Sequence, residues 1–151
     1  MNSDTSSADI YNAALYLLTR RDHSEQELAQ KLRAKFSVSS MELSVLLDAL
    51  VVAGYLDDRR FAESYTRARM RKGFGPERIK PELRAKGVDE SLISEVIASE
   101  DLDWANTAQS VWQKKYHQFP NDFKEKARQA NFLRYRGFNS NHLESIFDLH
   151  H

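Results

Sequence analysis

The sequence predicts an all-α protein made of three similar units, each with three helices. A Leu-Arg-X-Lys/Arg pattern occurs at residues 32–35, 83–86 and 133–136, with its leucines 51 and then 50 residues apart. A fixed period of this size is typical of repeated supersecondary units. Glycine and proline together number only eight in 151 residues, and alternating strand patterns are absent. These observations favour helical units stacked in series over one enclosed pocket.

Each copy of the pattern is followed by a break and then by a further helix. Gly87 and Gly137 supply the break in the second and third copies, and residues 36–39 supply it in the first. The helices after the breaks carry apolar residues at helical spacing, namely Leu43, Leu46 and Leu47, then Ile93, Val96 and Ile97, then Leu143, Ile146 and Phe147. After a disordered N-terminal tail over 1–8, we therefore expect three-helix repeats over 9–54, 55–100 and 101–149.

Capping residues mark where several helices begin. Ser24 and Glu27 form a capping box, in which each side chain bonds to the backbone N–H of the other residue. Either Asp57 or Asp58 can cap the helix that follows this pair. The same assignment explains why two carboxylates stand side by side without a catalytic role.

Two positions carry sharper expectations about packing. Pro81 lies inside the helix that begins at Pro76, and it cannot donate to the carbonyl of Glu77. We expect a kink there, or a helix that restarts. In the third unit the helix after Asn121 is expected to bury Phe123, Ala130 and Leu133.

The composition leaves few catalytic possibilities. Cysteine is absent, which removes disulfides and thiolate metal sites and fits a reducing compartment. No apolar run is long enough to cross a bilayer, and residues 1–8 lack the features of a secretory signal. The internal histidines His23, His117 and His142 have no metal-ligand spacing, and glycine-rich phosphate loops and nucleophile motifs are absent. We therefore predict no catalytic residue, no metal and no cofactor, and we leave the terminal His150-His151 out of the functional argument.

A basic block in the middle of the chain is the main functional signal. Residues 59–86 hold ten Lys or Arg and three Asp or Glu, whereas both flanking parts are acidic, so seven charges lack a partner inside the block. Such asymmetry indicates an anionic partner, although a solvated helical face would show the same composition. Phe74, between two glycines, is either an aromatic contact of this surface or part of the core. The partner-binding candidates are Arg60, Arg67, Arg69, Arg71, Lys72, Arg78, Lys80, Arg84 and Lys86.

The same region carries a family resemblance. YLDDRRFAESYTRARMRKGFGPERI, at residues 55–79, resembles the signature of the RecX family, the bacterial regulators of the RecA recombinase. RRDHSEQELAQKL at 20–32, ELRAKGV at 82–88 and FLRYRGF at 132–138 also resemble RecX segments, in the same order. The resemblance covers about 10–148, with Pro81 in place of the usual polar residue.

This resemblance implies an elongated, curved molecule of three tandem three-helix repeats. It also implies a monomeric cytoplasmic protein that binds the filament of RecA on single-stranded DNA, with possible direct contact to the DNA. Family members suppress the ATPase, strand-exchange and coprotease activities of RecA, which places the chain in homologous recombination, DNA repair and the SOS response. The alternative is a DNA-binding protein that uses helix-turn-helix-like units to read duplex DNA.

Overall fold

The computed structural model describes residues 6–147, and within this range the chain folds into nine helices with no strand. The helices are α1 (Ser7–Arg20), α2 (Glu25–Lys35), α3 (Ser40–Val52), α4 (Asp58–Arg71), α5 (Pro76–Ala85), α6 (Glu90–Ile97), α7 (Trp104–Tyr116), α8 (Phe123–Arg136) and α9 (Ser140–Phe147). We call α1–α3 unit 1, α4–α6 unit 2 and α7–α9 unit 3. None of these helices combines the length and the apolar character that a bilayer crossing requires.

The first helix begins earlier than the sequence pattern suggests. Ser6 is the N-cap of α1, and it forms a capping box with Asp9, with hydrogen bonds of 3.2 and 3.3 Å in the two directions. Residues 6–8 therefore belong to the cap and first turn of α1 and not to a tail. The rest of the expected tail, 1–5, and the end of the third repeat, 148–151, which includes His150-His151, lie outside the described residues.

The two adjacent aspartates before α4 have separate structural tasks. Asp57 is the cap, because its Oδ1 accepts from the N–H groups of Arg59 and Arg60 at 3.0 and 3.1 Å. Asp58 instead accepts from the N–H of Glu25 at 2.8 Å, so it caps the start of α2 from a distance in sequence. The capping box of Ser24 and Glu27 forms as expected. Capping thus accounts for both carboxylates.

Of two packing expectations, one is narrowed and one is wrong. The α5 helix continues through Pro81 to Ala85, so it does not restart at the proline, and the kink stays a prediction. Pro81 lies on the exposed side of the helix. The carbonyl of Glu77, which receives no hydrogen bond from the proline nitrogen, can therefore bind water instead. Phe123 is 87% exposed and not inward. It is the first residue of α8, and it lies at the rim of a cleft with Phe119 and Phe147, beyond the part of α8 that the core covers.

Two apolar cores hold the nine described helices together. Unit 1 has its own core, to which Leu56 after α3 also belongs. Units 2 and 3 share one continuous core, which extends from Phe61 in α4 to Phe147 in α9. The repeat leucines Leu32, Leu83 and Leu133 are 1%, 0% and 0% exposed, so the repeat register is confirmed at these positions.

Units 2 and 3 meet where the start of α5 touches the end of α8. Gly75 donates its N–H to the carbonyl of Arg136, and Glu77 donates to the carbonyl of Gly137, both at 2.9 Å. The free N–H groups of one helix start thereby satisfy the free carbonyls of another helix end. The approach is so close that a Cβ on Gly75 would lie 2.5 Å from the backbone of Gly137. A side chain at position 75 would therefore force the two units apart.

Units 1 and 2 repeat this arrangement with side chains in place of backbone N–H groups. At the start of α2, Ser24 Oγ donates to the carbonyl of Lys86 at 2.7 Å, and Gln26 Nε2 donates to the carbonyl of Ala85 at 3.3 Å. Salt bridges of Lys86 with Glu27 (3.6 Å) and of Arg60 with Asp22 (3.0 Å) reinforce the contact. The second helices of the three units, α8, α5 and α2, therefore follow one another end to end.

A substitution pair tests the repeat register. Leu83→Ala is expected to lower the free energy of unfolding by roughly 2–5 kcal/mol, because it removes buried atoms and leaves a cavity in the shared core. Arg84 is exposed and bonded to Glu90 on the surface, so Arg84→Ala is expected to change that free energy by at most ~0.5 kcal/mol. Denaturant melts of both variants measure the difference. The opposite ranking would show that the register is wrong.

A glycine pair tests the junction between units 2 and 3. Gly75 has φ −98°, which any residue can adopt, so Gly75→Ala acts through the close approach alone and is expected to cost about 2–3 kcal/mol. Gly54 is the matched control, because its φ is +83° and a Cβ there would meet nothing within 4 Å. Gly54→Ala is expected to cost about 1 kcal/mol, from the left-handed conformation only. Equal losses in denaturant melts would contradict the proposed contact.

Acidification is expected to destabilise the fold around Glu27, which pairs with Arg21 of unit 1 and with Lys86 of unit 2. Burial by itself would raise the pKa of this carboxyl, but the hydrogen bond and charge of Arg21, with the charge of Lys86, lower it from 4.5 to about 2. Since the folded pKa lies below the unfolded one, the stabilisation is complete above 4.5 and is lost as the pH falls toward about 2. Glu27→Gln should therefore show a flatter dependence of unfolding free energy on pH in this window. Parallel curves for parent and variant would refute the assignment.

Candidate anion-binding cleft

Six of the nine basic candidates form salt bridges in the folded chain. Three of the partners, Asp22, Glu27 and Glu90, lie outside the basic block, in agreement with the excess of cations that the sequence shows inside it. The tertiary structure brings these three carboxylates into contact with the basic block. The pairs are Arg60 with Asp22 (3.0 Å), Arg69 with Glu82 (2.9 Å), Arg78 with Glu82 (3.8 Å), Lys80 with Glu77 (3.3 Å), Arg84 with Glu90 (2.7 Å) and Lys86 with Glu27 (3.6 Å).

Glu82 is the centre of the most enclosed of these contacts. It accepts from Arg69 Nε and Nη2 at 2.9 Å each and from the Tyr65 hydroxyl at 2.8 Å. Burial would raise the pKa of Glu82, but the hydrogen bonds from Arg69 and Tyr65 lower it below its ordinary value. Burial and the hydrogen bond to Glu82 raise the pKa of Tyr65 to about 12. Arg69 thus holds the inner face of unit 2 together and is not free for a partner.

Phe74 is likewise occupied by the protein itself. Its ring lies under the guanidinium groups of Arg69, Arg78 and Arg136, with distances of 3.9, 4.8 and 5.1 Å to the ring centre. The ring is partly buried and packs against the shared core of units 2 and 3. Cation–π contacts of this kind position the arginines. Phe74 therefore organises the junction and does not offer a free face for stacking.

The three remaining candidates are free of carboxylates. Arg67, Arg71 and Lys72 are exposed, and none forms a salt bridge with any residue in the 6–147 range. Arg67 and Arg71 lie one helical turn apart on α4, which places them on the same face. The part of the predicted basic surface that forms no salt bridge is therefore the C-terminal part of α4 and the residue after it.

A cleft of about 340 Å³ opens beside this part of α4. Arg71 and Lys72 form one side, and Lys114 and Lys115 of α7 line it together with Arg136 of α8. None of these five cations is in a salt bridge within the described part of the chain, and no carboxylate lines the cleft. The uncharged lining residues are Met70, Gly73, Thr107, Ser110, Val111 and Phe132. The cleft therefore concentrates positive charge, which suits it to an anion.

Backbone and aromatic contacts fix the walls of the cleft. Gly73 turns the chain after α4 with φ +89°, and a Cβ there would lie 3.1 Å from Val111 Cγ2, so glycine lets α7 approach. Arg136 donates from Nη1 to the carbonyl of Lys72 at 3.2 Å. Lys115 and Arg136 also lie over the ring of Phe132, at 5.4 and 5.5 Å from its centre. Two of the five cations are thus held in place before any ligand arrives.

The sequence reasoning missed the cations that unit 3 contributes. Lys114-Lys115 is a basic pair in a predicted helix, and Arg136 belongs to the repeat pattern itself, so both signals were present. They lie 42 or more residues from Lys72, outside the basic block. The third helices of the units, α3, α6 and α9, contain no Lys or Arg. A helix-turn-helix protein reads duplex DNA with a recognition helix in the major groove. The lack of basic residues in these third helices therefore argues against that alternative.

No metal site competes with this interpretation in the region that the structure covers. Within residues 6–147, no three or more His, Asp or Glu side chains are grouped so as to hold a metal ion. His23 and His142 are engaged instead with Lys31 and with the backbone of Asn139. The cleft combines cations that form no salt bridge in this region with lining residues from both unit 2 and unit 3.

Three family models match successive parts of the chain. They describe the first three-helix domain of RecX at residues 11–38, the second at 57–97 and the third at 101–145. The cleft lies between the second and third of these domains, and all five of its cations fall inside the matched ranges.

Curated relatives and solved structures agree with these matches. Regulatory protein RecX of Serratia proteamaculans (strain 568) is 38% identical over an alignment of 161 positions, which covers 92% of this chain and 96% of the relative. The protein of the same name from Halorhodospira halophila (strain DSM 244 / SL1) is 40% identical over 137 residues, or 90% and 84% of the two chains. In fold, the crystal structure of RecX from Lactobacillus salivarius superposes with a TM-score of 0.80 at 23% identity, over 95% of this chain and 97% of that one. The chain therefore belongs to the RecX family of regulatory proteins.

Proposed function

We propose that this chain regulates the RecA recombinase by binding its filament on single-stranded DNA and suppressing ATP hydrolysis, strand exchange and coprotease activity. In this role it acts in recombination, DNA repair and the SOS response, as a monomer in the cytoplasm and without a catalytic residue or cofactor. The observation that supports the proposal most is the succession of three RecX units over nearly the whole chain.

The serial architecture suits a filament as a target. The hydrogen bonds and salt bridges between units within residues 6–147 join unit 1 to unit 2 and unit 2 to unit 3. Units joined in series present an extended surface. Such a surface can contact repeated protomers at once, which raises avidity without new kinds of contact.

Free charge on unit 2 supplies a contact for this target. Arg67 and Arg71 keep their guanidinium groups available, because no carboxylate in the described chain neutralises them. Arginine binds carboxylates and phosphates through two parallel hydrogen bonds and stays charged. The exposed face of α4 is therefore the surface that we assign to the filament.

Inhibition below one molecule per protomer is the direct test. Added to RecA of the same organism on single-stranded DNA, the protein is expected to slow ATP hydrolysis when it is substoichiometric, because one bound molecule affects several protomers. A coupled ATPase assay over a range of ratios measures this. Unchanged hydrolysis even at one molecule per protomer would contradict the proposed function.

Reversal of two charges tests the assigned surface. Arg67→Glu/Arg71→Glu is expected to weaken binding to the filament strongly while circular dichroism shows the helices intact. Arg33→Glu/Lys124→Glu is the matched control, because both side chains are exposed on other units and form no salt bridge within residues 6–147. Equal filament affinity of the two double variants in low salt would show that Arg67 and Arg71 only solubilise the protein.

A further inference from the structure

We infer that an apolar groove between α1 and α3 of unit 1 binds an amphipathic helix of a partner protein, with basic residues beside the apolar stripe of that helix. The groove has a volume of about 460 Å³, and its apolar lining includes Ile10 and Tyr11 of α1 and Met41, Val45 and Leu46 of α3. It belongs to a different unit from the α4 face that we assign to the filament, so the inference goes beyond the proposed function.

Exposed apolar side chains are concentrated on α3. Met41 is 78% exposed, Val45 is 65% exposed and Val52 is 88% exposed. At 100° per residue these three positions lie within about 40° of one another around the helix, so they form one stripe. Leu46, next to Val45 in the groove, belongs to the core of unit 1. A contiguous apolar surface of this kind is typical of an interaction site, whereas scattered apolar residues are not.

The other two units show that the fold does not require this stripe. The third helices of the units align through their buried residues, Leu43 in α3, Ile93 in α6 and Leu143 in α9. In this alignment the two stripe positions in the groove are polar in units 2 and 3. The equivalents of Met41 are Ser91 and Asn141, and those of Val45 are Glu95 and Ser145. Because the same three-helix unit folds with polar residues there, packing within unit 1 does not explain the two apolar side chains.

The charge around the groove favours a cationic partner. Residues 6–19 and 36–58 contain no Lys or Arg. Glu42 lines the groove, and Asp48 lies three residues after Val45 on α3. Neither carboxylate is in a salt bridge within the described part of the chain. Lys or Arg beside the apolar stripe of a partner would pair with these acids, whereas an anionic membrane, or the same face of a second copy, would be repelled.

The shape of the groove favours a helix over an extended segment. Its walls are two helices, and the described part of the chain has no sheet edge to which a strand could add. From Met41 to Ala49 the lining follows α3 for roughly 12 Å, which matches about two turns of a docked helix. Amphipathic helices bind such grooves through apolar side chains spaced i, i+3 or i+4 and i+7.

Binding of defined peptides to the whole protein tests the inference. The first probe is a labelled peptide of about 14 residues, held helical by a side-chain crosslink, with leucines spaced i, i+3, i+4 and i+7 and lysines elsewhere. Two matched probes have the same composition in scrambled order, or glutamate in place of each lysine. Fluorescence anisotropy at low salt is expected to show that the first peptide binds at least about tenfold more tightly than either control.

Met41→Asn/Val45→Ser removes the stripe from the groove without a change in charge. Unit 3 has these two residues at the equivalent positions, so circular dichroism is expected to show the helices intact. The variant is expected to bind the first peptide on the order of 10–100-fold more weakly, because two apolar side chains no longer contribute buried surface. Phe123→Ser is the matched control, since Phe123 is 87% exposed on another unit, and it should bind the peptide like the parent.

Other outcomes overturn the inference and leave the proposed function separately testable. If the scrambled or the glutamate peptide binds as tightly as the first, the groove does not recognise a basic amphipathic helix, even if ATP hydrolysis by the recombinase is still inhibited. If Met41→Asn/Val45→Ser binds like the parent, the peptide binds elsewhere. If sedimentation shows a dimer of the parent that this variant does not form, the occupant is a second copy of the chain. If a chain that lacks residues 1–5 binds the peptide much more tightly than the parent, the occupant is the start of the chain.

Discussion

The contact between Gly75 and Gly137 sets the position of unit 3, and much of the functional surface depends on it. Two backbone hydrogen bonds of 2.9 Å, from Gly75 and Glu77, join the start of α5 to the end of α8. The same approach brings Arg136 beside Lys72 and lets α7 pack near Gly73. The cleft is thus a consequence of this junction, because its walls come from helices that the junction places side by side.

The two junctions use the same end-to-end arrangement but different chemistry. Between units 2 and 3 the contact is backbone to backbone and is backed by a continuous apolar core. Between units 1 and 2 it depends on side chains, with Ser24, Gln26 and Glu27 against the end of α5, and the cores remain separate. Surface ion pairs contribute little free energy and weaken in salt. Units 2 and 3 therefore form the firmer part of the molecule, and the cleft lies in it.

Charge in this chain is arranged by the fold and not by local sequence. The basic block has three acids of its own, and most of its cations form salt bridges, either with two of these acids, Glu77 and Glu82, or with carboxylates from unit 1 and α6. Of the cations left over, Arg71 and Lys72 lie at the cleft, where unit 3 adds further cations. An anionic partner would therefore be attracted more strongly to the edge between units 2 and 3 than to the centre of the basic block.

The sequence by itself determined the helical repeats, the buried leucines and the caps, because these depend on residues three to four apart or on a repeated pattern. Leu32, Leu83 and Leu133 recur in register and are buried, and Ser24 with Glu27 caps α2 as expected. Which of Asp57 and Asp58 caps α4, the exposure of Phe123 and the pairing of the arginines were decided only by the tertiary structure. Each of these depends on groups far apart in the chain, as when Asp58 reaches Glu25 or Arg136 reaches Lys72. Helical periodicity does not predict contacts between residues so far apart in sequence. The cleft between units 2 and 3 could therefore be recognised only in the tertiary structure.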